Sequence, residues 1–164
     1  MTGKDRLESF LREQQVPFES QQHRVAFTAQ DVAASEHIPT MMMAKVTIVI
    51  ADAKLVMLVL PTSHRVDLAR LGVAIGAAVV RLAGEHEVAA AFPDCEVGAM
   101  SPFGNLYHIP VYVDRLLAQD HVIVFQAGTH TATISMKYAD FARVVKPVVA
   151  DFARHTLEIA APAG

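Results

Sequence analysis

The sequence has little that could cross-link it or hold it in a membrane. Cys95 is the one cysteine among 164 residues, so no internal disulfide can form, and a reducing cytoplasm is the expected setting. No apolar run approaches the ~20 residues of a membrane span. The longest candidate, Leu71 to Val80, is bounded by Arg70 and Arg81. Met1 to Glu8 is charged and lacks the apolar stretch of a signal peptide. Charged residues make up only 19%, the net charge is −3 and the isoelectric point is near 6.2. That balance argues against a protein that coats nucleic acid by bulk electrostatics. A grip on a few phosphates at one end of an RNA would need a local patch, for which Lys45, Arg24, Arg65 and Arg70 are candidates. The eight histidines form no H-x-x-x-H or H-E-x-x-H pattern, so no metal site and no cofactor are expected. No P-loop or dinucleotide fingerprint is present.

What the chain does have is apolar content: 52% hydrophobic residues and a mean hydropathy of +0.31. Its length suits one domain, spanning residues 1–164, that buries roughly 70% of its unfolded surface. Leu7, Phe10 and Leu11 recur at helical spacing and predict a helix that ends before Pro17. Thr28 and Asp31 read as a helix start, with Val32 to Ala34 in its body and Pro39 closing it. Ala44–Ile50 is rich in β-branched residues, Lys54–Leu60 repeats the strand pattern, and the two predict a hairpin about Ala51-Asp52-Ala53.

Ser63 then reads as the cap of a short helix through Val66, Asp67, Leu68 and Leu71. Ala77–Leu82 reads as a strand and Glu85–Ala91 as a helix stopped by Pro93. Asp94 to Tyr107 is loop-like, holding Gly98, Pro102, Gly104 and Asn105. Ile109–Val113, His121–Phe125 and Thr131–Ser135 read as strands, the last two joined by Gly128-Thr129-His130. Tyr138, Phe141, Ala142 and Val145 mark a helix that Pro147 interrupts. A second helical piece is expected to about His155, followed by a frayed Ala/Pro/Gly tail. Hairpins mixed with longer crossovers imply an α/β fold with a mixed sheet, curled into a barrel-like core with helices around it.

Several residues are candidates for chemistry. Lys45 interrupts an alternating strand, with Val46, Ile48 and Ile50 in the opposite phase, so it faces either solvent or the mouth of a pocket. The glycines of Gly98–Gly104 either simply turn the chain or let backbone N–H groups approach a carbonyl closely. One such oxyanion donor is worth ~3 kcal/mol, about 10²–10³ in rate. Ser101 lies in Met100-Ser101-Pro102 rather than a G-x-S-x-G elbow, so it fixes the loop or touches substrate. Cys95 has no basic neighbour in sequence and reads as an inert thiol. His130 suits a pocket-lining or orienting role better than general-base catalysis. Met41 to Met43 fit a core or a pliable pocket wall.

Taken in order, Lys45 in its strand, Pro61-Thr62-Ser63-His64-Arg65-Val66-Asp67-Leu68, Gly98-Ala99-Met100-Ser101-Pro102-Phe103-Gly104 and Gly128-Thr129-His130 resemble one family. It is the YbaK/prolyl-tRNA-synthetase-associated domain family, free-standing relatives of the editing domain inserted in bacterial prolyl-tRNA synthetase. The likeness runs from about His23 to about Val145. It implies a barrel-like mixed-sheet fold and a cofactor-independent, cytoplasmic hydrolase that deacylates mischarged tRNA. It also implies that Lys45 contacts the tRNA 3′ end, and that Lys45, Gly98 and Gly104 form the catalytic set. Ser101, Pro102, Phe103, Gly128, Thr129 and His130 would bind the aminoacyl group. Lys45 follows the apolar Met41-Met42-Met43-Ala44 and precedes Val46, where several relatives carry a polar residue. A pocket of Pro102, Phe103 and methionines would be tight and apolar, suiting alanine, serine or threonine. The expected partners are mischarged tRNA and an aminoacyl-tRNA synthetase, with no DNA and no membrane. A non-catalytic module of the same fold, recognising a tRNA end or an amino-acid-like ligand, is the alternative.

Overall fold

The first helix begins where the sequence offers a reciprocal cap. In the computed structural model, which describes residues 1–23, 39 and 41–155, the Thr2 hydroxyl accepts from the Asp5 N–H at 3.1 Å. The Asp5 carboxylate accepts from the Thr2 N–H at 3.2 Å. This capping box satisfies two amides that a helix start otherwise leaves open. Helix α1 runs over Gly3–Glu13 and buries Leu7 and Leu11 completely. Strand β1 (Glu19–Gln22) follows.

The predicted hairpin is present as β2 (Ala44–Ala51) and β3 (Lys54–Pro61), with Lys45 opposite Leu60. Its two-residue turn places Asp52 at φ 47° and Ala53 at φ 70°, the left-handed pair that matches strand twist in a tight hairpin. The Asp52 carboxylate fixes the turn by accepting from the Ala78 and Val79 N–H groups at 3.0 and 2.9 Å. Strand β4 (His64–Val66), helix α2 (Leu68–Ile75), strand β5 (Val80–Leu82) and helix α3 (Glu85–Ala91) come next. After a 3₁₀ turn at Gly104–Tyr107 lie β6 (Val111–Asp114), α4 (Arg115–Ala118), β7 (Val122–Gln126) and β8 (Ala132–Lys137). Helix α5 (Tyr138–Val145), β9 (Val148–Ala150) and β10 (Ala153–His155) complete the described chain.

The central sheet has the order β5-β2-β3-β6-β9, with β5, β2 and β3 antiparallel and β6 and β9 parallel to β3. Each face buries a separate core. The larger lies between this sheet, α1, α5 and a second antiparallel sheet, β1-β8-β7, and includes Ala44, Ile48, Met57, Phe103, Phe125, Ile134 and Phe141. The smaller, around Val49, Leu58, Leu60, Leu71 and Phe152, lies under α2 and the two-stranded ribbon β4-β10. Buried Asp114 ties that ribbon down. One carboxylate oxygen accepts from the Phe152 and Ala153 N–H groups at 2.9 and 2.8 Å, and the other from Leu116 at 3.0 Å.

Three expectations are corrected. The mixed sheet does not close: among the described residues the strands form three sheets, joined at β2 and β7 only through a parallel bridge between Met43 and Val124. Asp67, not Ser63, caps α2 by accepting from the Arg70 N–H at 3.1 Å, because His64–Val66 is drawn into pairing with β10. Residues after Pro147 form β9 and β10 rather than a helix. Val148 and Val149 are β-branched and pair with the open edge of β6. The helix expected at Thr28 to Ala34 and the tail beyond His155 lie outside the described residues.

Candidate active site

The bridge between Met43 and Val124, with the Val124 N–H donating to the Met42 carbonyl at 3.0 Å, sets β7 beside the start of β2. Strand alternation then assigns sides. Ala44 and Phe125 enter the larger core, so Lys45 and Gln126 each project from their own strand away from that core. Lys45 is half-buried, and its ammonium is held below the ordinary lysine range, first by burial and then by the charge of Arg65. Gln126 is 6% exposed, and its side-chain amide nitrogen has no hydrogen-bond partner among the described residues. Its cross-strand neighbour Thr133 is also buried and polar. The Thr62 N–H donates to the Met43 carbonyl at 2.8 Å, folding the Pro61-Thr62-Ser63 turn back toward the same strand end.

Two residues beyond Gln126 the chain turns through Gly128 at φ 87°. This turn is bound to the other glycine loop. The Gly128 N–H donates to the Ala99 carbonyl at 2.8 Å, and the Glu96 N–H to the Gly128 carbonyl at 2.9 Å. Glu96 closes the connection with its side chain, one oxygen accepting from the His130 N–H at 2.9 Å and the other from the Thr129 hydroxyl at 3.1 Å. The buried His130 ring has Nε2 2.9 Å from the Val97 carbonyl. A carbonyl only accepts, so Nε2 carries the proton and is a donor rather than a base. Gly98 is exposed at φ 86°, and a Cβ there would touch His130 Cε1 at 3.6 Å, an ordinary contact. Its backbone conformation, not lack of room, is what calls for glycine.

The structure therefore brings Gly98, Ser101, Gly128, Thr129 and His130 into two joined turns, with Lys45 on the strand beside β7. Ser101 and Pro102 are buried. Phe103 is fully buried against Phe10, Phe125 and Phe141, at ring separations of 6.0, 5.6 and 5.7 Å. At Gly104 a Cβ would lie 2.7 Å from both the Ile109 carbonyl oxygen and Val111 Cγ2. Phe103 and Gly104 thus anchor the loop on the core, leaving the Gly98 end toward solvent. Burial pushes the Cys95 thiol up to about 11, so it is protonated at neutral pH. Glu96 and Gln126 stood out in no motif, because their partners lie far along the chain or are lacking. A buried-strand glutamine next to Gly128 was the one available signal. Among the described residues, no group of three or more His, Cys, Asp or Glu could hold a metal ion, and no helix is long and apolar enough to cross a membrane.

The α/β fold of the chain is shared by solved structures of low sequence identity. The hypothetical protein APE2540 shares it with a TM-score of 0.82 at 21% identity, over 90% of this chain and 99% of its own. A protein provisionally assigned as a trans-editing enzyme for prolyl tRNA synthetase matches with a TM-score of 0.81 at 17% identity, over 94% and 98% of the two chains. A provisionally assigned signal transduction protein of Marinobacter aquaeolei VT8 carries the fold within a longer chain, with a TM-score of 0.70 at 16% identity. That match covers 93% of this chain and 31% of that one. No curated protein matches by sequence. Residues 23–144 match the aminoacyl-tRNA editing domain, and the chain belongs to that family.

Proposed function

We propose that the protein is a trans-acting deacylase that hydrolyses the ester of tRNA mischarged with a small amino acid. The observation that carries this reading is the junction of the two glycine turns just past the end of β7, the strand bridged to the residue before the strand of Lys45. An aminoacyl ester is already activated, so its hydrolysis needs a placed water and stabilisation of the developing oxyanion, not a covalent nucleophile. The exposed, left-handed Gly98 can present backbone N–H groups without a Cβ in the way. Cys95 is protonated and Ser101 is buried before a proline, which supports a mechanism with neither as nucleophile.

Lys45 supplies a partly desolvated cation for the terminal adenosine or its phosphate. Half-burial reduces screening by salt and strengthens the contact. His130, fixed by Val97 and Glu96, orients the aminoacyl group. The unpartnered Gln126 amide is a donor for the same ligand. A small side chain fits the need for editing, since a synthetase gains only ~1–3 kcal/mol against a substrate smaller by one methylene. The structural relative assigned provisionally to trans-editing supports the same substrate class.

The test is a panel of mischarged tRNAs incubated with purified protein. Deacylation of small-residue members above the spontaneous rate is expected, whereas no turnover of any member would leave a binding module of the same fold. Lys45→Ala should lower kcat/KM on tRNA by at least tenfold with an unchanged melting temperature. An unchanged rate would remove Lys45 from the site.

A further inference from the structure

The ribbon β4-β10 carries charge that the ester site does not use. Arg65 and Arg154 stand directly opposite each other in its antiparallel register. Like charges so placed oppose the pairing. Arg154 is held by the Asp67 carboxylate, and the Arg70 guanidinium donates to the Ala153 carbonyl at 2.9 Å. Arg65 is exposed and makes no ion pair among the described residues. The ribbon covers the smaller core, the face to which Lys45 projects, and the charge of Arg65 reaches Lys45. Lys45, Arg65 and Arg154 thus form a group of cations, of which Arg154 is paired with Asp67 among the described residues, in a chain whose net charge is −3. Guanidinium groups bind phosphate through paired N–H donors, which a lysine cannot do.

We propose that Arg65 and Arg154 form a ridge that binds the sugar–phosphate backbone of the tRNA acceptor strand where it leaves the ester site. This rests on the deacylase reading for its ligand. It commits to an RNA backbone rather than an acidic protein, because the ridge continues from the lysine assigned to the tRNA end. It separates two tasks. Lys45 and the glycine turns handle the ester, while the ridge supplies affinity for the body of the RNA.

The experiment measures binding of uncharged tRNA at several salt concentrations, together with deacylation of full-length tRNA and of an aminoacylated 3′-terminal fragment. Arg65→Gln is the principal variant because its side chain has no ion partner to orphan. Arg154→Gln is the second, and Arg65→Lys keeps the charge. Each Gln variant should flatten the log–log salt slope by about 1 and weaken tRNA binding about fivefold near 0.15 M salt. KM should rise on full-length tRNA with kcat retained, and the loss on full-length tRNA should exceed that on the fragment by at least threefold. Arg65→Lys should keep the salt slope.

An unchanged slope and affinity in Arg65→Gln, with the fold verified by thermal melting, would overturn the ridge. Equal losses on tRNA and fragment would overturn it too, moving Arg65 into the ester site. If the slope flattens while no ester is hydrolysed even by the unmodified protein, the ridge stands and the deacylase reading fails.

Discussion

Replacing Gly98 with alanine isolates one physical quantity. At φ 86° an L-residue with a Cβ is disfavoured by ~1–2 kcal/mol. The added methyl would meet only His130 Cε1 at 3.6 Å, so no overpacking adds to that figure. For a chain of this size each kcal/mol shifts Tm by about 2–4 °C, so Gly98→Ala should lower Tm by about 2–8 °C. Gly98→Asn should lose less, since asparagine tolerates the left-handed region, and Gly98→Val more. Calorimetry and urea titration with an unchanged m-value check the order. The catalytic readout depends on whether the backbone keeps its conformation. If it does, the N–H stays in place and deacylation falls less than tenfold. If the loop relaxes to negative φ, the stability loss disappears and the rate drops by about 10²–10³, the worth of an oxyanion donor. An alanine variant with both full stability and full activity would refute the assignment of Gly98.

Glu96→Ala removes the acceptor for the His130 N–H and the Thr129 hydroxyl, and should cost about 1–2 kcal/mol with a fall in kcat. Unchanged urea midpoint and rate would show that the two turns do not need it. Gln126→Leu exchanges an unpartnered buried amide for an apolar group of similar size, so stability should hold or rise by up to about 1 kcal/mol while kcat/KM falls. A destabilised variant of normal activity would reverse that reading. Lys45, whose folded pKa is lowered, binds less proton in the folded state between that value and the ordinary lysine range. Stability should therefore rise with pH across this window, and the rise should vanish in Lys45→Met. Activity that needs the ammonium should decline with rising pH below the ordinary lysine range. Arg65→Gln should move that decline upward, which a pH–rate profile measures.

Much of the architecture was legible because it is written locally. The β-branched run of β2 and the apolar run of β3 marked the hairpin, and Pro93 set the end of α3. Three-residue strands are a different matter. β9 exists because Val148 meets Tyr112, and β10 because Ala153 meets Val66, pairings across long stretches of chain. Ser63 and Asp67 are both plausible caps, and only the pairing of His64–Val66 decides between them. The closed barrel failed for a related reason, since strand identity does not reveal whether β2 and β7 pair beyond one bridge. In the site, Lys45, Gly98 and Gly128 announced themselves as a charge within a strand and glycines at turns. Glu96, Gln126 and Arg154 have ordinary surroundings in sequence and gain meaning only from what lies across from them.

The pairing of β10 with β4 also orders events during synthesis. Lys45 can take its place once the β2–β3 hairpin has emerged, at about residue 61. The ribbon that sets Arg65 against Arg154 needs Ala153–His155, and so closes some ninety residues later. On the ribosome, the hairpin that carries Lys45 therefore emerges well before the ribbon that sets Arg65 against Arg154 can close.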